Sequence, residues 1–99
     1  MEKLHFKYQA TQPIDHPVHI GVVASGDLEV IMKPTDKKES ELNIVTGSDG
    51  FKEVWQNVLT RFFDRYPLLA DFEINDFGAT PGVVNLRLTQ AMEALKDEQ

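Results

Sequence analysis

The fold is decided by residues 51–63, which read FKEVWQNVLTRFF. Apolar side chains recur there every three or four residues, as they do along one face of an α-helix. They are Phe51, Val54, Trp55, Val58, Leu59, Phe62 and Phe63. Ser48 or Asp49 can cap the start of this helix, and Pro67 ends it. We therefore expect one long amphipathic helix that buries this apolar face, including Trp55, against a sheet.

Segments with the period-2 alternation of half-buried β-strands lie on both sides of this helix. They predict four strands before it, over residues 4–8, 18–23, 28–33 and 42–46, and a fifth after it, over residues 72–76. The expected class is α+β, a two-layer domain in which a mostly antiparallel sheet of five or six strands is backed by the long amphipathic helix and a short C-terminal helix.

The C-terminal part of the chain permits two interpretations. Residues 84–88 alternate and predict a sixth strand, which a short helix over residues 89–95 would follow. A single long helix from Pro81 is the competing interpretation, because four apolar residues also form a helical stripe. These residues are Val84, Leu88, Ala91 and Leu95.

Composition narrows the classes of function. Ten Lys and Arg against sixteen Asp and Glu give a net charge of −6, which disfavours nucleic acid and membrane surfaces as partners. The absence of cysteine excludes disulfides, thiolate metal ligands and a thiol nucleophile of the protein's own. The N-terminus lacks the apolar core of a signal peptide. We expect one cytoplasmic domain spanning residues 1–99, with no metal site.

Residues 19–30, HIGVVASGDLEV, predict a β-hairpin with a serine at its tip. A three-residue loop, Ala24-Ser25-Gly26, places three pairs of apolar residues on one face: Val22 with Leu28, Ile20 with Val30, and Val18 with Met32. A two-residue loop would instead pair Val22 with Glu29. The favoured register exposes the Ser25 hydroxyl, which has no histidine beside it and is better suited to be modified than to catalyse. Spacing alone also permits an ordinary turn serine.

Two motifs together resemble the acyl-carrier (delta) subunit of malonate decarboxylase. The first is GVVASGDLEV at residues 21–30, and the second is DFGATPGV at residues 76–83. The similarity extends over nearly the whole chain, and Ser25, Gly26 and Asp27 match the Ser-Gly-Asp turn of that family. The chain has no Asp-Ser-Leu, the motif that carries the modified serine in fatty-acid-type carriers.

This resemblance implies a non-catalytic carrier subunit, with no catalytic residue of its own, in a multi-subunit lyase complex. It implies that Ser25 carries 2′-(5″-phosphoribosyl)-3′-dephospho-coenzyme A through a phosphodiester, with acetyl or malonyl as a thioester on its thiol. The implied partners are the acetyl/malonyl transferase and decarboxylase subunits and a prosthetic-group transferase. Candidates for contact with the arm or a partner are Asp76, Gly78, Thr80 and Gly82.

Two alternatives stay open at this point. One is a citrate-lyase-type acyl carrier (gamma chain), which uses a similar prosthetic group; the pairing of the two motifs favours malonate decarboxylase over it. The other is an unmodified α+β protein-interaction module in which Ser25 is only a turn residue. The segment Gly78–Gly82 can also be a tight strand-to-strand connection without a further role.

Overall fold

The structure is a computed structural model, and it describes residues 2–20, 28–47, 49–78 and 81–97. Its elements follow one another along the chain as β1 (Glu2–Gln9), β2 (Gln12–Pro13), β3 (Val18–Ile20), β4 (Leu28–Lys33), β5 (Glu39–Thr46), α1 (Lys52–Arg65), β6 (Leu68–Leu69), β7 (Asp71–Asp76) and α2 (Pro81–Asp97). No helix in these described ranges is long and apolar enough to cross a membrane.

Five strands form one sheet in the order β1-β5-β7-β4-β3. Only β5 and β7 pair in parallel, and the other neighbours are antiparallel. The segment between β5 and β7 contains α1, which provides the crossover that a parallel pair requires. A separate short parallel pair joins β2 to β6. The predicted α+β class with a mostly antiparallel sheet is confirmed.

The helices cover one face of this sheet. Along β4, β5 and β7 every second residue is buried, and these residues form one core with the apolar faces of both helices. The largest fully or almost fully buried members are Leu28, Val30, Met32, Leu42, Ile44, Leu59, Phe72, Ile74 and Leu88. The predicted strand pattern therefore identified the core face correctly.

The strand β5 begins at Glu39, three residues before the predicted start at Leu42. The sequence around Ser40 is polar and lies outside the predicted strand, yet Ser40 is fully buried. Its hydroxyl donates to the Leu68 carbonyl and accepts from the Ala70 amide at 3.1 Å. Because the Ser40 hydroxyl both donates and accepts a hydrogen bond, this polar side chain can be buried.

The helix α1 confirms the predicted long amphipathic helix, but it begins at Lys52 rather than after Ser48 or Asp49. Gly50 has φ of +85°, which a right-handed helix cannot include, so the helix starts beyond it. Phe51 is the N-terminal flanking residue and makes no side-chain capping bond. It is 48 % exposed, so the apolar stripe is buried only from Trp55 onward.

The predicted sixth strand over residues 84–88 and the short helix after it are wrong, because residues 81–97 form the single helix α2. Val84, Leu88 and Ala91 are buried on one face of this helix, whereas Leu86 is 52 % exposed. A strand would have placed Leu86 on the same face as Val84 and Leu88. The helical arrangement buries these three residues, which are three and four positions apart, and α2 lies against β3 and β4.

Candidate functional site

The predicted hairpin register is confirmed where the structure describes it. Val18 pairs with Met32 and Ile20 pairs with Val30 in the antiparallel β3–β4 ladder. The continuation of this register pairs Val22 with Leu28, but Val22 lies outside the described residues. The same is true of the rest of segment 21–27, including the predicted attachment residue Ser25 and its flanking residues Gly26 and Asp27.

The strands flanking segment 21–27 fix the end of the sheet at which it enters and leaves. It begins after Ile20, the last residue of β3, and ends before Leu28, the first residue of β4. Leu28 pairs with Asp76, the last residue of β7, and Asp76 pairs in turn with Thr46, the last residue of β5. We call this side of the sheet, marked by Ile20, Leu28, Thr46 and Asp76, the loop end.

The second sequence motif starts at this loop end. Asp76 is its first residue, and α2 begins five residues later at Pro81. Two segments that lie some fifty residues apart in the sequence are thus neighbours at one sheet end, through the register of Leu28 with Asp76. Gly82 is the second residue of α2, while Thr80 lies outside the described residues.

Asp76 fixes the turn that leads from β7 to α2. Its side chain is buried, with 8 % of the residue exposed. One carboxylate oxygen accepts from the Thr46 hydroxyl at 2.8 Å, and the other accepts from the Gly78 amide at 2.9 Å. The backbone carbonyl of Asp76 also accepts from the Gly47 amide at 3.2 Å. Asp76 therefore faces inward at the end of β7, and its carboxylate caps the following turn.

Gly78 has the backbone conformation that makes this turn possible. Its φ is +120°, which residues with a side chain rarely adopt. The residue before it, Phe77, is 50 % exposed and so presents an aromatic ring at the loop end. Of the four candidate contact residues in the second motif, Asp76 and Gly78 act together in this turn, whereas Gly82 lies in the first turn of α2.

A polar cluster lies on the opposite face of the sheet at the same end. Glu29 accepts from the Asn75 amide at 2.7 Å through one carboxylate oxygen, and its other oxygen lies 2.8 Å from His19 Nε2. The Asn75 hydrogen bond and then the His19 contact lower the pKa of the Glu29 carboxyl below its ordinary value of 4.5. The carboxylates of Glu29 and Asp76 lie on opposite faces of the sheet at the loop end, and each accepts hydrogen bonds from neighbouring groups.

Sequence reasoning missed Thr46 and Asn75 as partners in these two clusters. The strand pattern contained a signal for Thr46, because Leu42, Ile44 and Thr46 alternate in step with Phe72, Ile74 and Asp76. Two polar residues at the same end of two buried faces are expected to pair if the strands are parallel neighbours. Nothing in the sequence identified β5 and β7 as such neighbours.

Within the ranges that the structure describes, no group of three or more His, Asp or Glu side chains could hold a metal ion. Asp15 and His16, which the sequence places near His19, bond to each other at 2.6 Å. His19 instead contacts Glu29. The structure therefore does not bring the two neighbouring histidines together in one site.

Comparison with known proteins points to one family. The sequence profile described as malonate decarboxylase delta subunit (MdcD) matches residues 15–95. The malonate decarboxylase acyl carrier protein of Stutzerimonas stutzeri (strain A1501) is 43 % identical over 94 residues, covering 94 % of this chain and 95 % of the relative. The protein of the same name from Azotobacter vinelandii is 41 % identical, with 98 % and 99 % covered.

A solved structure has the same fold. It is a chain in the crystal structure of a Pseudomonas malonate decarboxylase hetero-tetramer in complex with malonate. That chain superposes with a TM-score of 0.88 at 41 % sequence identity, over 96 % of this chain and 99 % of its own length.

Proposed function

Because this chain belongs to the malonate decarboxylase delta-subunit family and is an acyl carrier subunit, we propose that Ser25 is the residue that bears its prosthetic group. The observation that carries this proposal is the register of Leu28 with Asp76. It joins the segment that contains Ser25 to the second motif at the loop end, as expected if the two motifs serve one site. Family membership also favours malonate chemistry over the citrate-lyase-type alternative.

The chemistry of the chain fits a group that is attached through a hydroxyl and brings its own sulfur. The chain has no cysteine, so the protein itself offers no thiol for a thioester. We propose 2′-(5″-phosphoribosyl)-3′-dephospho-coenzyme A as the group, which supplies the thiol for acetyl and malonyl transfer. The role of this chain is to carry the attachment point and to present it to other subunits.

The described surroundings of the loop also fit an anionic attachment. A phosphodiester carries a negative charge, which the positive dipole end of a nearby helix would stabilise. The first turn of α2, which starts at the loop end, has no acidic residue. Its positive dipole end is thus left available to a nearby phosphate.

A carrier subunit functions by presenting its acyl group to other subunits, and these subunits are its partners. The related Pseudomonas chain belongs to a hetero-tetramer, so other subunits are partners in that complex. We propose that the acetyl/malonyl transferase and decarboxylase subunits engage the loop end, where the half-exposed ring of Phe77 offers an apolar contact. We further propose that this chain is a non-catalytic subunit in a cytoplasmic complex, loaded by a prosthetic-group transferase.

Intact-mass spectrometry tests this proposal. The chain is co-expressed with its prosthetic-group transferase, and its mass is measured for the natural sequence, Ser25→Ala and Ser48→Ala. We expect a covalent adduct on the natural chain and on the matched control Ser48→Ala, and none on Ser25→Ala. An adduct that survives in Ser25→Ala refutes the attachment site. The adduct is then acetylated on its thiol and incubated with the acetyl/malonyl transferase subunit; replacement of acetyl by malonyl with release of acetate, with malonate and not with citrate, tests the acyl group.

A further inference from the structure

A groove of about 450 Å³ lies between α1 and α2. Residues of α1 and the residue after it form one wall, and residues of α2 form the other. The lining residues are Val58, Arg61, Phe62, Arg65, Tyr66, Asn85 and Thr89. This volume is within the range of small-molecule sites, roughly 300–1,000 Å³.

The charge of the groove is opposite to that of the protein. The chain has a net charge of −6, yet the groove is lined by two arginines and by no carboxylate. Arg61 and Arg65 are one helical turn apart, and neither has an ion-pair partner among the described residues. The Arg65 guanidinium lies 5.3 Å from the centre of the Tyr66 ring. Unpaired guanidinium groups favour phosphate, because their planar donors match its oxygens.

The α2 wall of the groove begins close to the loop end, whereas its two arginines lie farther along α1. Arg61 and Arg65 are the tenth and fourteenth residues of that helix, about 14 and 20 Å along its axis from Lys52. Both α1 and α2 start on that side of the sheet, after the last residues of β5 and β7. Asn85 is the fifth residue of α2, so it lies about 6 Å along the helix axis from Pro81. In the proposed prosthetic group, one phosphate and two pentoses separate the serine from the pyrophosphate. The pyrophosphate of a group attached in segment 21–27 is therefore spaced away from the loop end, as a site at Arg61 and Arg65 requires.

Resting on the proposed function, we infer that this groove binds the phosphate-bearing nucleotide part of the arm on Ser25 of the same chain. Arg61 and Arg65 pair with its phosphates, and the apolar and aromatic walls of Val58 and Tyr66 contact the base. The remaining surface of the chain is acidic and repels the negatively charged arm, so the arm binds preferentially in the groove. The thiol end lies beyond the nucleotide and stays free to reach the partner subunits.

Nuclear magnetic resonance of loaded chains tests this inference. The natural chain, the double variant Arg61→Gln/Arg65→Gln and the control Lys38→Gln/Lys52→Gln are each loaded, and the adduct is verified by mass. Both double variants change the net charge from −6 to −8, but the control leaves the groove intact. We expect loading to shift the amide signals of Asn85 and Thr89 in the natural and control chains. The shifts should be about fivefold smaller without the two arginines, since exposed charge pairs contribute modestly.

Each outcome decides the inference. An adduct that leaves the groove amides unmoved, or that moves them equally in the arginine double variant, overturns it while the carrier function stands. Failure to form any adduct removes the proposed function and this inference with it. Free 3′-dephospho-coenzyme A is also added to the unloaded chain. If only the free compound shifts the groove signals and the attached arm does not, binding in the same chain is refuted.

Discussion

Replacement of Asp76 by alanine is the sharpest test of how the loop end is held together. Asp76 accepts from the Thr46 hydroxyl and from the Gly78 amide, and so links β5, β7 and the turn into α2. Asp76→Ala removes both acceptor oxygens and leaves the fully buried Thr46 without this partner. The apolar core beneath is unchanged, so the loss reports on these hydrogen bonds.

The size of the effect follows from the two bonds. A hydrogen bond to a charged group contributes about 1.5–3 kcal/mol net, and two bonds to one carboxylate are not fully additive. We therefore expect Asp76→Ala to lower the free energy of unfolding by about 2–4 kcal/mol, which is about 10–25 °C in Tm for a domain of this size. Asp76→Asn keeps one carbonyl acceptor and should lose about half as much.

Thermal and urea unfolding measure this effect through the fluorescence of Trp55, the single tryptophan, which is 4 % exposed in the folded chain. Asp64→Ala is the matched control, because Asp64 is exposed on α1 and its removal should cost less than about 0.5 kcal/mol. If Asp76→Ala and Asp64→Ala unfold within 0.5 kcal/mol of each other, the argument that Asp76 secures the turn is wrong.

Two further predictions concern stability. Ser40→Ala should lower the free energy of unfolding in urea by about 1–3 kcal/mol, because the buried Leu68 carbonyl and Ala70 amide lose their hydrogen-bond partner. An unchanged free energy of unfolding would contradict the role given to the hydroxyl. The pKa of the Glu29 carboxyl is lowered in the folded chain, so its carboxylate form stabilises the fold above the ordinary pKa of 4.5. This stabilisation is lost as the pH falls toward the lower pKa of the folded state. The difference in unfolding free energy between the natural chain and Glu29→Gln should therefore shrink below about pH 4.5; a difference constant from pH 7 to 3 would refute this.

Much of the fold could be predicted from local patterns. The spacing of Trp55, Leu59 and Phe62 predicted the buried face of α1 correctly, because one face of a helix repeats every 3.6 residues whatever it packs against. The pairing of Ile20 with Val30 was predicted because a one-residue shift of the register would turn apolar side chains away from the core. Both predictions depend on short-range geometry.

The C-terminal region shows where this reasoning fails. Val84 and Leu88 are four residues apart, a spacing that places them on one face of either a strand or a helix. Leu86 distinguishes the two, since it is buried in the strand and exposed in the helix, but its own side chain is compatible with both. The packing of α2 against β3 and β4 made the choice, and that packing is not a local property.

The candidate site likewise combines features that local patterns predict with features that depend on the fold. Local patterns identified two motifs, a Ser-Gly-Asp sequence between apolar strands and an acidic residue before a glycine turn. The fold brings these motifs to one end of a sheet, because the β4–β7 register joins Leu28 to Asp76 across 48 positions of the chain. It also decided that Arg61 and Arg65 face Asn85 and Thr89 across a groove. Contacts of this kind depend on how strands and helices are ordered in space, which the burial of the whole core selects and no local pattern specifies.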